Sequence, residues 1–141
     1  MGRTTLSLFI VSLLLLASAP PASPYTYQHT SGSAQVRWQT NTIPVAFSSS
    51  LYSPPSNIKA GSDVVGAVRR ALRRWSDAAN IQFVEVDSSQ QAISPAGAGD
   101  RVNLISVSTA NSSAFSGERP GRARVFFDAS GAITEADIAI N

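Results

Sequence analysis

The stretch VVGAVRRALRRWSDAANIQFVEV, residues 64–86, decides the fold. Five of its apolar residues follow the spacing of one buried helical stripe: Val64, Val68, Leu72, Trp75 and Ala79. Ser62 is the candidate N-cap, and Asp63 lies where the helix dipole favours negative charge. These features predict a helix over residues 62–79. A strand over residues 81–86 follows it, because apolar and polar side chains alternate there.

Further strands are predicted before and after this helix in the sequence. Four further stretches have the alternation or composition of strands: residues 43–47, 102–107, 122–127 and 133–140. Pro44 cannot donate to a ladder, so it predicts an edge position or a strand start for the first strand. Asp128 and Gly131 bound a turn between the last two strands. This order predicts an α+β fold: a twisted, mixed, mostly parallel sheet of about five strands, one long helix against it, and one antiparallel edge strand.

Composition narrows the class of protein. The chain has 141 residues, enough for one domain, and its 43% hydrophobic and 14% charged residues exclude a disordered tail. A net charge of +2 does not indicate a nucleic-acid-binding protein. The arginines on the helix (Arg69, Arg70, Arg73 and Arg74) fit a patch for nucleic acid or an anionic membrane, but a solvated helix face explains them better. There is no cysteine, and His29 is the single histidine, so the chain alone cannot supply an ordinary zinc site.

The N-terminus has the pattern of an export signal. Arg3 precedes an almost wholly apolar run over residues 6–17, and Ala17-Ser18-Ala19 has the small residues of a signal-peptidase site. The run is too short to cross about 30 Å of hydrocarbon comfortably, which argues against a membrane anchor. The sequence therefore predicts a signal peptide over residues 1–19, with cleavage as late as residue 23, a flexible mature N-terminus over residues 20–35, and a secreted protein.

Several motifs in order resemble the N-terminal subdomain of matrixin-type metallopeptidases, a branch of the metzincins. Val36-Arg37-Trp38 followed by Ile43-Pro44-Val45 resembles the opening tryptophan and first strand of the family. Residues 64–86 resemble its backing helix and second strand, and "DRVNLISVS" resembles its third. The stretch "GRARVFFDASGAITEADIAIN" is most similar to bacterial members. The resemblance covers nearly all of the chain after Val36, and it rests on the order and spacing of motifs that are each weakly specific.

The resemblance implies a secreted zinc-dependent metalloendopeptidase that acts on protein or peptide substrates. The decisive family motif, H-E-x-x-H-x-x-G-x-x-H, does not occur in these residues. The three histidines of that motif bind one zinc ion, and its glutamate activates the zinc-bound water. Residues 36–141 are therefore expected to be an incomplete catalytic domain without its active-site helix, zinc ligands or catalytic residues. The chain of 141 residues is expected to be inactive.

One element implied by the resemblance lies within the chain. Matrixin-like enzymes hold substrate as an extra strand on an exposed sheet edge, where main-chain hydrogen bonds supply affinity. The matching segment is residues 122–127, with Ala123, Arg124 and Val125 expected to pair with substrate. An ordinary edge strand kept soluble by its arginines explains the segment equally well.

Two further interpretations of the sequence remain open. Asp128, Glu135 and Asp137 offer the oxygen ligands that calcium takes, but they lack an EF-hand spacing, so calcium has no further support. The competing class of protein is a non-enzymatic secreted α+β binding module, or a degenerate relative of the peptidases. Any continuation of the chain past residue 141, and the presence or absence of bound zinc, discriminate these classes. Substrate preference and oligomeric state are not indicated by the sequence.

Overall fold

A computed structural model describes residues 26–108 and 119–141 of the chain. Within these ranges the elements are, in order, β1 (Thr42–Phe47), α1 (Ser49–Tyr52), α2 (Val64–Ala78), β2 (Gln82–Val86), β3 (Leu104–Val107), β4 (Gly121–Phe127) and β5 (Ile133–Ile140). The predicted signal peptide over residues 1–19, with its cleavage position as far as residue 23, lies outside the described residues.

The strands form one mixed sheet in the order β2-β1-β3-β5-β4. The pairs β1–β2, β1–β3 and β3–β5 are parallel, whereas β4 runs antiparallel to β5 at the edge of the sheet. This arrangement confirms the predicted α+β class and the mixed, mostly parallel sheet of five strands with an antiparallel edge.

The predicted edge position of Pro44 is wrong, because β1 lies between β2 and β3. The Pro44 carbonyl accepts a hydrogen bond from the Asn103 side chain, so this residue faces the β3 side of β1. Pairing of β1 with β3 begins only at Ala46, opposite Leu104. The missing N–H of Pro44 therefore costs no ladder hydrogen bond, and an interior strand tolerates the proline.

The prediction of one long helix against the sheet needs correction. The longest helix, α2, has 15 residues, and a short second helix, α1, precedes it. Asp63, not Ser62, is the N-cap, since its carboxylate accepts the Gly66 N–H at 2.8 Å. At the other end Ala79 is already extended, and this leads the chain directly into β2.

The buried face of α2 is also narrower than the apolar stripe predicts. Val68 is the buried residue of this helix, and Val64 and Leu72 are half-buried against the core. Trp75 is 65% exposed, although its spacing places it on the same stripe. The core lies between α2, Leu51 of α1 and one face of the sheet, where it contains Ile43, Val45, Ile105 and Val107.

A buried asparagine joins two strands that do not pair with each other. Asn103 precedes β3, and its side-chain nitrogen donates to the Pro44 carbonyl of β1 at 2.8 Å. Its side-chain oxygen accepts the Ala136 N–H of β5 at 2.7 Å. β3 was predicted over residues 102–107 but begins only at Leu104. At residue 103 the side-chain amide of Asn103 therefore replaces the main-chain pairing of a strand.

The segment before β1 is fastened to the β4–β5 turn. The Arg37 N–H donates to the Gly131 carbonyl at 2.9 Å, and the Ile133 N–H donates back to the Arg37 carbonyl at 3.0 Å. Gly131 has a φ of +85°, and a Cβ there would lie 2.3 Å from the Gln35 carbonyl oxygen. Earlier residues, predicted to be flexible, include a turn closed by the Val36 N–H on the Gln28 carbonyl at 2.8 Å.

Substitution of Gly131 by alanine should destabilise the protein more than the same change at Gly61. Both glycines have positive φ, but nothing lies within 4 Å of a Cβ at Gly61. Gly61→Ala should therefore lower the free energy of unfolding by about 1 kcal/mol, the cost of the left-handed conformation alone. Gly131→Ala adds a collision with main-chain atoms and should cost at least about 2 kcal/mol more. Urea unfolding of both variants measures this, and equal losses would contradict the close approach.

Candidate functional site

The outer edge of β4 presents main-chain groups from alternate residues. The Asn141 N–H donates to the Pro120 carbonyl at 3.0 Å, which places the main chain of Pro120 toward the β5 side. The direction alternates along a strand, so Arg122 and Arg124, opposite Ala139 and Asp137, also face β5. Ala123 and Val125 therefore direct their N–H and carbonyl groups outward. No other strand of the described ranges pairs with this side of β4.

The three residues predicted to bind substrate therefore divide into two kinds. Ala123 and Val125 have main-chain groups free for an added strand, and their side chains lie on the α2 face of the sheet, opposite Ile138 and Ala136. Arg124 uses its main chain in the β4–β5 ladder. Its half-buried side chain lies on the other face, where Nη1 donates to the Ser94 carbonyl.

An apolar groove opens on the α2 face beside this edge. It has a volume of about 370 Å³. Its lining consists of helix and sheet residues with no charged side chain: Val68, Ala71, Leu72, Trp75, Ile81, Phe83, Ile105, Ile138 and Ile140. Trp75 is 65% exposed and Ile138 41% exposed. Ile138 pairs with Ala123, so the floor of the groove continues into the β4–β5 strand pair.

The opposite face of the sheet is covered by residues 87–103, here called the cover loop, and carries two buried carboxylates. Glu135 and Asp137 alternate with apolar residues along β5 and are 0% and 1% exposed. Asp137 accepts the Ser94 N–H at 2.7 Å and the Leu104 N–H at 3.0 Å. Glu135 accepts the Arg101 N–H at 2.6 Å. The bonds from Ser94 and Arg101 hold the cover loop against the sheet, whereas Leu104 belongs to β3.

Burial raises the pKa of Asp137 above its ordinary value, and the neighbouring Glu135 carboxyl adds to this effect. The N–H donors of Ser94 and Leu104 act in the opposite direction. Because the pKa is higher in the folded than in the unfolded protein, the folded state binds the proton more tightly. The stability that this carboxyl contributes is therefore complete below its unfolded-state pKa of 3.8 and is lost as pH rises through the folded-state pKa.

The three carboxylates considered for calcium do not form one cluster. Asp128 is exposed in the β4–β5 turn, where it accepts the N–H groups of Ser130 at 2.8 Å and Ala132 at 3.1 Å. The hydrogen bond from the Ser130 hydroxyl, followed by these N–H donors, lowers the pKa of Asp128. The pattern of the sequence could identify the turn, but the burial of Glu135 and Asp137 was missed.

The residues present do not fit a zinc site. His29 is exposed and lies in an isolated antiparallel bridge with Gln35. Across residues 26–108 and 119–141, no three His, Cys, Asp or Glu side chains come together to hold a metal ion. The groove and the edge strand therefore offer surfaces for binding, without a metal centre made by these residues.

The helix arginines are partly paired with acidic side chains. Arg69 donates to the Glu85 carboxylate at 2.8 Å, and Arg70 donates to Asp63 at 3.0 Å. Both pairs are exposed to solvent, where ion pairs contribute little to stability. The Arg69 pairing lowers the pKa of Glu85. This side of α2 is therefore hydrated and charged, in contrast to the apolar groove on its other side.

Comparison with protein-family models, curated protein sequences and solved structures finds no match to this chain. Among the helices of the described part of the chain, none is long and apolar enough to cross a membrane.

The exposure of Trp75 in the groove can be checked by fluorescence quenching. The chain has two tryptophans, and Trp38 is half-buried against the core. The Trp38→Phe variant reports on Trp75 alone, and Trp75→Phe reports on Trp38 alone. Acrylamide should quench the Trp38→Phe variant more strongly, and the emission of that variant should lie at longer wavelength, because Trp75 is in contact with water. Weaker quenching of Trp75 than of Trp38 would show that the groove is covered in solution.

Proposed function

We propose that this chain is the N-terminal part of a secreted, matrixin-like zinc metalloendopeptidase, and that its own contribution is to hold the peptide substrate. The observation that carries the proposal is the outer edge of β4. Ala123 and Val125 present free main-chain groups there, beside an apolar groove on the same face of the sheet. The motifs that resemble the matrixins support the same proposal.

A peptide would bind as a sixth strand next to β4. Its N–H and carbonyl groups would pair with those of Ala123 and Val125, which does not depend on the side chains of the peptide. The small Ala123 leaves room above Ile138 for a substrate side chain that reaches toward the groove. Arg124, on the opposite face, would position β4 through its bond to the cover loop rather than contact substrate.

The peptidase proposal requires residues outside these 141. Zinc would serve the longer protein by polarising the scissile carbonyl and activating a water, but no residues of the described ranges fit its ligand set. The exposed Trp75 and Ile138 would be covered by the active-site helix that the proposal requires. Burial of such apolar surface contributes about 25 cal/mol per Å², which favours the docking of that helix. The 141-residue chain alone is expected to hydrolyse no peptide.

The edge of β4 also supports a second function, a non-enzymatic secreted binding module. Strand addition needs only the unpaired main-chain groups of Ala123 and Val125, and it needs no metal. In that case the apolar groove would bind side chains of the partner. The two functions predict different mass, zinc content and activity for the complete secreted protein.

The intact mass and zinc content of the protein secreted by its own organism test the peptidase proposal. We expect a species larger than this chain that binds zinc and cleaves an unstructured protein such as casein, with activity lost on chelation and restored by zinc. A species that matches this chain without its signal peptide, and that carries no zinc, would contradict the peptidase proposal. Peptide binding by that short species would then favour the binding module.

A matched pair of proline substitutions tests the role of the β4 edge. Ala123→Pro removes an outward N–H, so the complete protein should keep its melting temperature but lose affinity for peptides. KM should rise about two- to tenfold, the equivalent of one lost hydrogen bond between uncharged groups. Arg124→Pro removes an N–H that faces β5 and should instead lower the free energy of unfolding by about 1–3 kcal/mol.

Thermal unfolding and peptide-hydrolysis kinetics on both variants provide the measurements. An Ala123→Pro variant with unchanged KM would show that the substrate does not add to β4 at this residue.

A further inference from the structure

Glu135 and Asp137 are buried together, and neither forms an ion pair with a cation of the described residues. They stand on the same face of β5, whereas the ion pairs of the described chain are Arg69–Glu85 and Arg70–Asp63. An isolated ionised carboxylate is costly to bury, and two close ones are costlier because their charges repel. The pair therefore needs another means of neutralisation.

The charged groups on the surrounding elements do not supply it. On β4, Arg124 lies opposite Asp137 but donates to the Ser94 carbonyl and forms no ion pair with either carboxylate, and Arg122 is exposed opposite Ala139. In the cover loop, the side chains of Asp87, Asp100 and Arg101 are exposed. On this face β3 contributes only the uncharged Leu104 and Ser106, and β1 contributes Pro44 and Ala46.

One oxygen of the pair has no partner. Glu135 Oε2 accepts the Arg101 N–H, whereas Glu135 Oε1 is buried and has no hydrogen-bond donor. An unpartnered buried acceptor costs about 1–3 kcal/mol. A proton on Asp137 would supply the missing donor, because the Glu135 carboxyl lies within hydrogen-bonding reach of Asp137, whose oxygens would still accept from Ser94 and Leu104.

We propose that Asp137 carries a proton in the closed protein, donates it in a hydrogen bond to the unpartnered oxygen of Glu135, and so latches the cover loop onto the sheet in a pH-dependent way. When the proton is present, an O–H···O bond joins the two carboxyls, and the pair carries one negative charge that three main-chain N–H groups stabilise. When base removes the proton to the solvent, two charges face each other in a buried site. The cover loop then opens to admit water, while the sheet beneath it stays formed.

The cover loop lies in close contact with Glu135. A Cβ on Gly99 would lie 2.6 Å from Glu135 Oε2 and 3.0 Å from the Phe126 ring. Arg101, which donates to the same oxygen, has a φ of +68°, a left-handed conformation that is unfavourable for arginine. The hydrogen bond to Glu135 offsets this strain in the closed loop, so loss of that bond also favours opening.

The latch is independent of the peptidase proposal, because it needs neither zinc nor substrate. The direction of the pH effect depends on which state of the loop, closed or open, binds more protons. The closed loop holds the extra proton and the open loop releases it, so closure is favoured at acidic pH and weakens as pH rises. This is opposite to the usual effect of acid on paired carboxylates, which lose their stabilising contacts when they are protonated.

Hydrogen exchange of the full chain, corrected for the intrinsic exchange rate, tests the latch at single amides. Between about pH 5 and about pH 8, protection of the Ser94 and Arg101 amides of the cover loop should fall about tenfold or more, since each pH unit between the pKa values of the closed and open states changes the closed-to-open ratio about tenfold. The Ala67 amide, bonded to the Asp63 carbonyl inside α2, is the internal reference and should change little.

Glu135→Gln is the decisive variant. Its amide oxygen can accept from Arg101, and its amide nitrogen can donate permanently to an ionised Asp137, so protection of the Ser94 and Arg101 amides should be high and independent of pH. Asp87→Asn, at an exposed carboxyl of the same loop, is the matched control and should keep the pH dependence of the wild type. Equal protection at both pH values in the wild type, or unchanged pH dependence in Glu135→Gln, would overturn the latch.

A second measurement does not depend on the folding of a variant. The carboxyl ¹³C chemical shift of Asp137 in the wild-type chain should show that this group titrates above the ordinary range of an aspartate. Titration of Asp137 like an exposed aspartate would overturn the latch.

Discussion

The Asn103 amide is the contact on which the centre of the sheet depends. β3 has only four residues, all buried, and it must separate β1 from β5. Before β3 begins, the Asn103 side chain joins the Pro44 carbonyl of β1 to the Ala136 N–H of β5. Without it, two partly buried main-chain groups would lose their partners at the same point. This bridge also ends the cover loop at the level where Asp137 accepts the next N–H, that of Leu104.

The two faces of β5 give the two sides of the sheet different properties. On one face Ile138 and Ile140 continue the apolar surface of the groove. On the other, Glu135 and Asp137 are covered by a loop that they hold through its main chain. The alternation of a strand creates this division, because successive side chains point in opposite directions. A binding surface and a polar anchoring surface are thus built from one stretch of eight residues.

Much of the fold could be predicted from local pattern. Alternation predicted β1 and β5 closely, and the residues of the β4–β5 turn were correctly identified, because strand and turn preferences act over a few neighbours. Sheet order could not be predicted in this way, since the pairing of β3 with β5 depends on residues far apart in the sequence. The same limit explains the errors at Pro44 and Trp75. A proline is acceptable in an interior strand if its neighbour starts later, and an apolar helix residue stays exposed if nothing packs against it.

The candidate site shows a similar division. The edge position of residues 122–127 was expected from the resemblance to the matrixins, but the outward direction of Ala123 and Val125 is determined only by the hydrogen-bond register. Charged side chains normally indicate exposure, so the pattern around Glu135 and Asp137 gave no signal of burial. The two buried carboxylates are stabilised by main-chain N–H groups of residues 94–104, which are a long distance away in the sequence.

The bond between Arg37 and the β4–β5 turn has a consequence for the order of folding. Main-chain hydrogen bonds link residue 37 to residues 131 and 133, near the two ends of the described chain. β5 also lies between β3 and β4, so until residues 133–140 are present β4 has no partner strand and β3 has only β1. Contacts of such sequence separation require closure of a large loop before they yield any stabilisation, which slows folding. A ribosome-bound chain therefore cannot complete its sheet until β5 has been made, and before then α2 has only β1, β2 and β3 to pack against.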